Sequence, residues 1–263
     1  MRGPAAVVLA LAAMLVAVPS AVAGWWRPPQ RLTWYWQLQG AVKNDKAVDA
    51  YDIDGFENDA GEVALLHGQG KRVICYIDVG TSENFRPDYR SFPAAVKRRS
   101  NGWPGERWLD VRRLDVLEPI MSARFEMCAQ KGFDAVEPDN MEAYANASGF
   151  PLTASDQLAY NEWVAQTVHA LGMAVLQKND GEQTQQQVKD FDGALAEQCN
   201  QYHECSGYML YLHAGKPVLN TEYRLGKSRF LRRRRVLRHH GRPAEPRAQR
   251  APLRTLLVRL ASS

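Results

Sequence analysis

The 263-residue chain is 45% hydrophobic and 24% charged, an ordinary globular balance that excludes a disordered chain, a collagen and a disulfide-dense miniprotein. Its formal net charge of +4 suggests mild affinity for polyanions, but the charge is unevenly spread. Gly226–Ser263 holds 12 Lys and Arg residues and one acid, Glu245, whereas Met1–Leu225 holds 21 basic and 28 acidic residues, a net of −7. An acidic body therefore precedes a basic tail.

The first 23 residues have the pattern of a cleaved secretory signal. Arg2 precedes an apolar run, Ala5–Val18, and the small-x-small triplet Ala21–Ala23 follows it. The run is too short to span a bilayer, and Pro19 ends it. We expect a mature chain that starts at Gly24, is secreted, and keeps no membrane segment after cleavage.

Export permits disulfide bonds, and the sequence has four cysteines. Cys199 and Cys205 bracket a short polar stretch that one tight loop can bridge. Zinc binding with His203 is the rival interpretation, but the sequence lacks a second ligand pair at recognisable spacing. We predict a Cys199–Cys205 disulfide. Cys75 and Cys128 have the surroundings of buried thiols, and their pairing is left open.

Strand-like and helix-like segments alternate along the body of the chain. The eight predicted strands are Trp34–Leu38, Ala50–Asp54, Arg72–Asp78, Trp108–Val111, Phe133–Glu137, Met173–Lys178, Ala194–Glu197 and Pro217–Tyr223. The predicted helices are Gly61–Gly68, Leu114–Gln130, Ser155–Leu171 and Thr184–Phe191. This order predicts an α/β fold, a single-domain (β/α)8 TIM-like barrel over residues 24–225. A doubly wound open sheet is the alternative, but it would normally show a Gly-rich phosphate loop after the first strand, and none is present.

Carboxylates gather where the predicted strands end, which is the edge where a barrel carries its active site. Buried charges are costly, so a set of acids at this edge indicates chemistry or cation binding. The sequence has few His and no Ca²⁺-loop pattern, so we expect no metal and no cofactor. The acids are Asp52, Asp54, Asp78, Glu137, Asp139, Asp180, Glu197 and Glu222.

Aromatic residues on the same strands, such as Trp36 and Tyr76, add a carbohydrate signal, because sugars stack on rings and bond to carboxylates. Glycoside hydrolysis needs two carboxyl groups that flank the scissile bond. Two segments supply the best pair. In FDAVEPDN, Glu137 and Asp139 share one parity, and Pro138 is expected to stop the strand. The small-residue strand ALAE ends in Glu197.

These motifs carry a family resemblance. FDAVEPDN, together with YDIDGF, YIDVG, QKND and LAEQC in chain order between about Leu32 and Leu225, resembles glycoside hydrolase family 114, whose members are endo-α-1,4-polygalactosaminidases on a TIM-like barrel. The resemblance implies that Asp139 is the nucleophile and Glu197 the acid/base of a retaining reaction. It also makes candidate substrate-binding residues of Trp36, Asp52, Asp54, Tyr76, Asp78, Glu137, Asn140, Lys178 and Glu222.

The charge of the body agrees with that substrate, because deacetylated polygalactosamine is a polycation that an acidic barrel attracts. We therefore expect a cationic amino-sugar polysaccharide as partner, and no nucleic acid. Lys178 is expected to pair with a neighbouring carboxylate. Two alternatives stay open: a non-catalytic carbohydrate-binding surface protein on the same barrel, and a different glycosidase.

The tail, residues 226–263, does not fit the barrel pattern, because a final helix should cover the last strand. Its Arg-, Pro- and Ala-rich sequence permits three interpretations: a polyanion-binding arm, a solvated disordered extension, or an aberrant C-terminus such as a frameshift in a GC-rich gene produces. We favour the aberrant tail, with the final helix missing or poorly replaced.

Overall fold

The computed structural model describes residues 24–224. Seven parallel strands form one sheet in the order β1-β2-β3-β6-β7-β8-β9, and β4 and β5 form a separate antiparallel pair. The strands are β1 Trp34–Gln37, β2 Ala50–Asp54, β3 Arg72–Asp78, β4 Thr81–Glu83, β5 Glu106–Trp108, β6 Ala135–Asp139, β7 Ala174–Lys178, β8 Gly193–Glu197 and β9 Val218–Thr221. The helices are α1 Ala60–Gly68, α2 Leu114–Lys131, α3 Ala154–Ala170, α4 Thr184–Gln187, α5 Cys199–Tyr202 and α6 Met209–His213.

The parallel sheet curls into a nearly closed barrel with a packed interior. Successive strand residues point to opposite faces, so every second residue enters the barrel. The rings of Trp36 on β1 and Tyr223 after β9 lie 6.2 Å apart, which brings the first and last strands together. Away from the carboxyl ends of the strands, the interior of the barrel is apolar and contains Leu32, Trp34, Ala50, Ile74, Ala135, Ala174, Leu176, Leu195 and Leu219.

A second, larger core lies between the sheet and the helices outside it. Local signals set the helix ends: Asp59 caps α1, a capping box of Thr153 and Asp156 begins α3, and Gly132 in the left-handed region ends α2. A disulfide between Cys75 and Cys128 ties β3 to α2 across this core.

The predicted disulfide between Cys199 and Cys205 is present. It closes the loop that follows β8, directly after Glu197. The pairing of Cys75 with Cys128, which the sequence left open, completes the set of four.

One predicted barrel strand is wrong. The Trp108–Val111 segment does not join the parallel sheet; Glu106–Trp108 instead pairs antiparallel with Thr81–Glu83, and Leu109 forms a single bridge with Lys97. A short apolar run shows that a segment is buried, but it does not show which strand it pairs with. The described sheet therefore has seven strands where eight were expected, and β3 pairs directly with β6.

The predicted end of the next strand is also wrong. β6 continues through Pro138 to Asp139 in register with Ile77 and Asp78 of β3. The ladder between β6 and β7 ends at Val136, so the N–H that Pro138 lacks is not needed on that side. The strand therefore carries both Glu137 and Asp139 to the interior.

The predicted signal peptide (residues 1–23) and basic tail (226–263) lie outside the described residues, as does the expected final helix. Within residues 24–224, the helices are all too short or too polar to cross a membrane.

Candidate active site

A buried lysine joins three carboxylates at the carboxyl edge of the barrel. Nζ of Lys178, on β7, lies 2.6 Å from Oε1 of Glu137, 2.9 Å from Oδ1 of Asp139 and 3.5 Å from Oε2 of Glu197. The Lys178 side chain is 1% exposed and that of Glu137 is fully buried, whereas those of Asp139 and Glu197 are 19% and 24% exposed. The two acids that the sequence paired therefore reach solvent above a buried ion pair.

Charge balance in this cluster favours an ionised Asp139. Burial alone would lower the pKa of Lys178, but Asp139, Glu137 and Glu197 outweigh it and raise that pKa well above its usual range. Burial would raise the pKa of Asp139, but Lys178 and the Tyr76 hydroxyl, which donates to Oδ2 at 2.7 Å, lower it overall. Asp139 is thus held as a carboxylate that is partly open to solvent.

Glu197 is positioned by the loops that follow β7 and β9. Nδ2 of Asn179 donates to Oε2 of Glu197 at 3.1 Å, and the Glu197 N–H donates back to Oδ1 of Asn179 at 2.9 Å. The Tyr223 hydroxyl donates to the other Glu197 oxygen. The side chain is therefore held on both oxygens.

Backbone strain concentrates at this edge. Asn140 after β6, Asn179 and Asp180 after β7, and Gln198 after β8 have φ values of 63°, 47°, 52° and 56°. Non-glycine residues seldom adopt this left-handed region, and such residues cluster at functional sites. These left-handed residues turn the chain sharply directly after β6, β7 and β8, the strands that carry Asp139, Lys178 and Glu197.

Asp52 lies in the barrel interior and differs from the other acids. It is fully buried, and the partner of its carboxyl group is the carboxyl group of Glu137, with which it shares a side-chain hydrogen bond. Burial and the negative charge of Glu137 raise the pKa of Asp52 well above its usual range. The protonated form of Asp52 is therefore favoured, and the residue lies in the interior without contacting solvent.

Asp78 organises the loop between β3 and β4. It accepts hydrogen bonds from the N–H groups of Gly80 (3.0 Å) and Thr81 (2.7 Å), from the Thr81 hydroxyl, and from Nδ2 of Asn140 (2.8 Å). The structure thus brings two of the predicted residues, Asp78 and Asn140, together beside Asp139, where they support the loop.

Two predicted substrate-binding acids are held elsewhere. Arg86 forms a bidentate pair with Asp54 at 3.0 and 2.5 Å. Oε1 of Glu222 accepts from the Asn200 N–H at 2.8 Å and from Nδ2 of Asn220 at 2.9 Å. These contacts give Asp54 and Glu222 structural partners, whereas Trp36 donates from Nε1 to Glu137 at 3.0 Å and joins the cluster.

Sequence reasoning missed Glu142, which follows β6 in the loop next to the cluster. Its Oε2 accepts from the Asp180 N–H at 2.9 Å. Burial, reinforced by the charges of Asp139 and Glu197, raises the pKa of Glu142 to about 7. Burial also raises the pKa of Asp180 to about 7, although Tyr144 and Gln187 donate to it.

Sequence reasoning also missed Asn179, which contacts Glu197. The consecutive residues Asn179 and Asp180 are typical of a turn, and this pattern could have marked the position.

Three other acids, Asp78, Glu83 and Glu106, have oxygens within 4.8 Å of one another. Such a set could hold a metal ion, but Asp78 already accepts four hydrogen bonds, and Arg86 donates to Glu83 at 2.9 Å. Existing donors therefore occupy much of the oxygen capacity that a cation would need.

Comparison with known proteins places this arrangement in a family. The sequence model of glycoside-hydrolase family GH114 matches residues 16–249. The chain belongs to family GH114. The match extends beyond Leu32–Leu225, the range of the motif resemblance, at both ends.

Solved structures agree with the GH114 assignment. The crystal structure of Aspergillus fumigatus Ega3 in complex with galactosamine has a TM-score of 0.75 and 33% identity, covering 79% of this chain and 87% of that chain. The glycoside hydrolase domain of PelA from Pseudomonas aeruginosa shares the fold, with a TM-score of 0.58 and 13% identity over 81% and 92% of the two chains. An uncharacterised Deinococcus radiodurans protein is 25% identical over 67% of this chain and 63% of its own length.

Proposed function

We propose that this GH114 protein is a secreted glycosidase that cleaves internal α-1,4 bonds of a galactosamine-containing polysaccharide. The observation that carries the proposal is the pair of solvent-reaching carboxylates, Asp139 and Glu197, held around the buried Nζ of Lys178. The two disulfides are consistent with an exported protein.

Charge supports an amino sugar as substrate. The cluster at the carboxyl edge holds Lys178 against Glu137, Asp139 and Glu197, so negative charge exceeds positive charge where substrate would bind. A protonated amino sugar would be attracted to such a site. The Ega3 structure, which is 33% identical, is described as a complex with galactosamine.

The spacing supports a double displacement. Because the nearest oxygens of Asp139 and Glu197 lie 2.9 and 3.5 Å from the same Nζ, they are at most about 6.4 Å apart. Retaining glycosidases place their carboxyl groups about 5–5.5 Å apart, and inverting enzymes about 6.5–9.5 Å. The distance therefore suits attack by one acid rather than by a water held between two.

In the proposed mechanism, ionised Asp139 attacks the anomeric carbon while Glu197 gives its proton to the departing glycosidic oxygen. A glycosyl ester forms on Asp139 as the sugar–oxygen bond breaks. Glu197 then takes a proton from water, whose oxygen displaces Asp139 and releases a sugar with the original α configuration. Lys178 and Tyr76 hold Asp139 ionised before it attacks and again after water has displaced it.

Release of reducing ends from α-1,4-polygalactosamine tests the proposal. Wild-type protein should release them, whereas Asp139→Asn and Glu197→Gln should each lower kcat by roughly 10²–10⁴-fold. On an activated aryl glycoside, whose leaving group departs without a proton, azide should restore turnover to Glu197→Gln and form a glycosyl azide, because azide attacks the ester on Asp139 without help from a base.

Glu142→Gln is the informative comparison, because Glu142 is a second acid near Asp139 with a pKa of about 7. Azide rescue of Glu142→Gln instead of Glu197→Gln would overturn the assignment of the acid/base. Polymer binding without any reducing-end release by wild-type protein would overturn the hydrolase proposal and favour a carbohydrate-binding protein.

A further inference from the structure

The chain between β3 and β6 extends the barrel edge and exposes two aromatic rings. β4 and β5 pair with Glu83 opposite Glu106, and the Asn84 N–H donates to the Gly105 carbonyl at 3.0 Å beyond them. Phe85 and Trp103 emerge at this end of the pair, 59% and 69% exposed. They are the two most exposed large hydrophobic side chains in residues 24–224.

Trp103 sits on a turn fixed by several hydrogen bonds. Its N–H donates to Oδ1 of Asn101 at 3.0 Å, and its carbonyl accepts from the Glu106 N–H at 3.3 Å. Nδ2 of Asn101 donates to Oε2 of Glu106 at 2.5 Å, and the Ser100 hydroxyl donates to the Trp103 carbonyl at 3.4 Å. An exposed indole on an ordered turn is prepared for contact, because little entropy is lost when a ligand binds it.

Glu106 connects this turn to the catalytic cleft. The Thr81 hydroxyl contacts both Asp78 and, at 3.4 Å, Oε2 of Glu106. Asp78 in turn accepts from Asn140, the residue after Asp139. Burial raises the pKa of Glu106, and the charge of Asp139 raises it further, so the two carboxyl groups share one electrostatic environment. A chain of hydrogen bonds therefore links the residue after Asp139 to Glu106, which lies in the turn that carries Trp103.

We propose that Phe85, Trp103 and Glu106 form an additional sugar-binding platform that holds the substrate polymer away from the cleavage point. The proposal rests on the function proposed above and commits to one occupant, a strand of cationic amino-sugar polysaccharide. The Trp103 face offers apolar area to the C–H face of a sugar and negative quadrupole density to an ammonium group. The Arg86 guanidinium lies 5.1 Å from the centroid of the Phe85 ring, so Phe85 is assigned apolar contact with the sugar only. Glu106 supplies a carboxylate at the side nearest the cleft.

This platform explains how the protein would cleave bonds in the interior of a long polysaccharide. The proposal requires that a short oligosaccharide bound around Lys178 ends before Trp103, whereas a long polymer touches both. Binding energy from the platform therefore increases affinity for the polymer alone, and it leaves the rate of bond cleavage unchanged.

The test compares Phe85→Ala/Trp103→Ala with Leu65→Ala in the full chain. Leu65 on α1 is 46% exposed and belongs to the outer helical layer, so it is a matched loss of exposed apolar surface. Each ring should contribute roughly 2- to 5-fold to affinity. With Asp139→Asn added to every protein so that the polymer is not cleaved, the double variant should bind α-1,4-polygalactosamine about 4- to 25-fold more weakly in affinity electrophoresis, and Leu65→Ala should bind it normally.

Kinetics on two substrates complete the test. In the double variant, KM for the polymer should rise by the same factor with kcat unchanged, and KM for a trisaccharide should stay at the wild-type value. Wild-type polymer affinity in the double variant, or an equal loss on trisaccharide and polymer, would overturn the platform. Since binding is measured without turnover, an inactive wild-type protein would contradict the proposed hydrolase and leave the platform result interpretable.

Discussion

Lys178 is the residue on which the two proposed catalytic acids depend. Its Nζ contacts Glu137, Asp139 and Glu197 and lies 5.5 Å from the centroid of the Trp36 ring and 5.8 Å from that of Tyr76. A single buried cation between carboxylates makes their protonation interdependent. Removing it leaves buried negative charge without compensation.

Lys178→Met should therefore lower kcat and move the acid limb of activity to higher pH. Asp139 loses the partner that lowers its pKa, while burial continues to raise that pKa, so it takes up a proton at higher pH. The free energy of unfolding at pH 7 should fall by about 3–5 kcal/mol. pH–rate profiles and urea titrations measure both effects.

Lys189→Met is the control, since Lys189 is exposed and its ion pairs at 3.5 and 3.6 Å are of the weak surface type. An unchanged acid limb in Lys178→Met would show that Lys178 does not set the ionisation of Asp139.

At the scale of elements, the strands that carry the site could be predicted from alternation, because residues facing the interior recur every second position. This placed Asp52, Glu137, Asp139, Lys178 and Glu197 at strand ends. Partner choice could not be predicted: Trp108 has the apolar surroundings of a barrel strand but pairs with Thr81 outside the sheet. Asn179 and Glu142 lie in loops, where no periodicity marks a side chain.

The contact between the β3 and β6 ends depends on a glycine. A Cβ placed on Gly80 would lie 1.8 Å from the Asn140 carbonyl oxygen. Gly80→Ala should therefore push the segment that carries Asp139 aside, lowering the free energy of unfolding by about 1–3 kcal/mol or more and reducing kcat.

Gly68→Ala is the matched comparison, because a Cβ on Gly68 at the end of α1 meets no atom within 4 Å. It should change stability by less than about 1 kcal/mol. Urea denaturation of both variants measures the difference, and equal stability of the two would contradict the close packing at Gly80.

For the whole molecule, the acid-rich barrel has a consequence for pH stability. The pKa values of Glu142 and Asp180, each raised to about 7, mean that the folded protein keeps protons that the unfolded chain releases near pH 4–5. The free energy of unfolding contributed by these groups therefore falls as pH rises from about 4.5 to 7.

Glu142→Gln should make that decline smaller by roughly 1–3 kcal/mol, because it removes one of the two groups. Urea titrations at pH 5 and pH 7.5, on wild type and variant, give the comparison. The same decline in both proteins would show that Glu142 ionises alike in the folded and unfolded states.

The net charge of +4 conceals the property that matters for function, because it averages the basic tail with a body of net −7. The sequence was sufficient to predict an acidic barrel with Asp139 and Glu197 at its carboxyl edge, where the structure brings both beside Lys178. It could not predict Lys178 as their shared partner in detail, since that contact depends on the register of β6, β7 and β8. The aromatic pair on the β4–β5 extension also required the structure.

The most direct test of the central claim is the anomeric configuration of the first product. Time-resolved proton NMR of wild-type protein acting on α-1,4-polygalactosamine should show the α anomer first, with the β anomer appearing only by mutarotation. Initial release of the β anomer would contradict Asp139 as a nucleophile assisted by Glu197, and no new reducing ends would contradict the hydrolase itself.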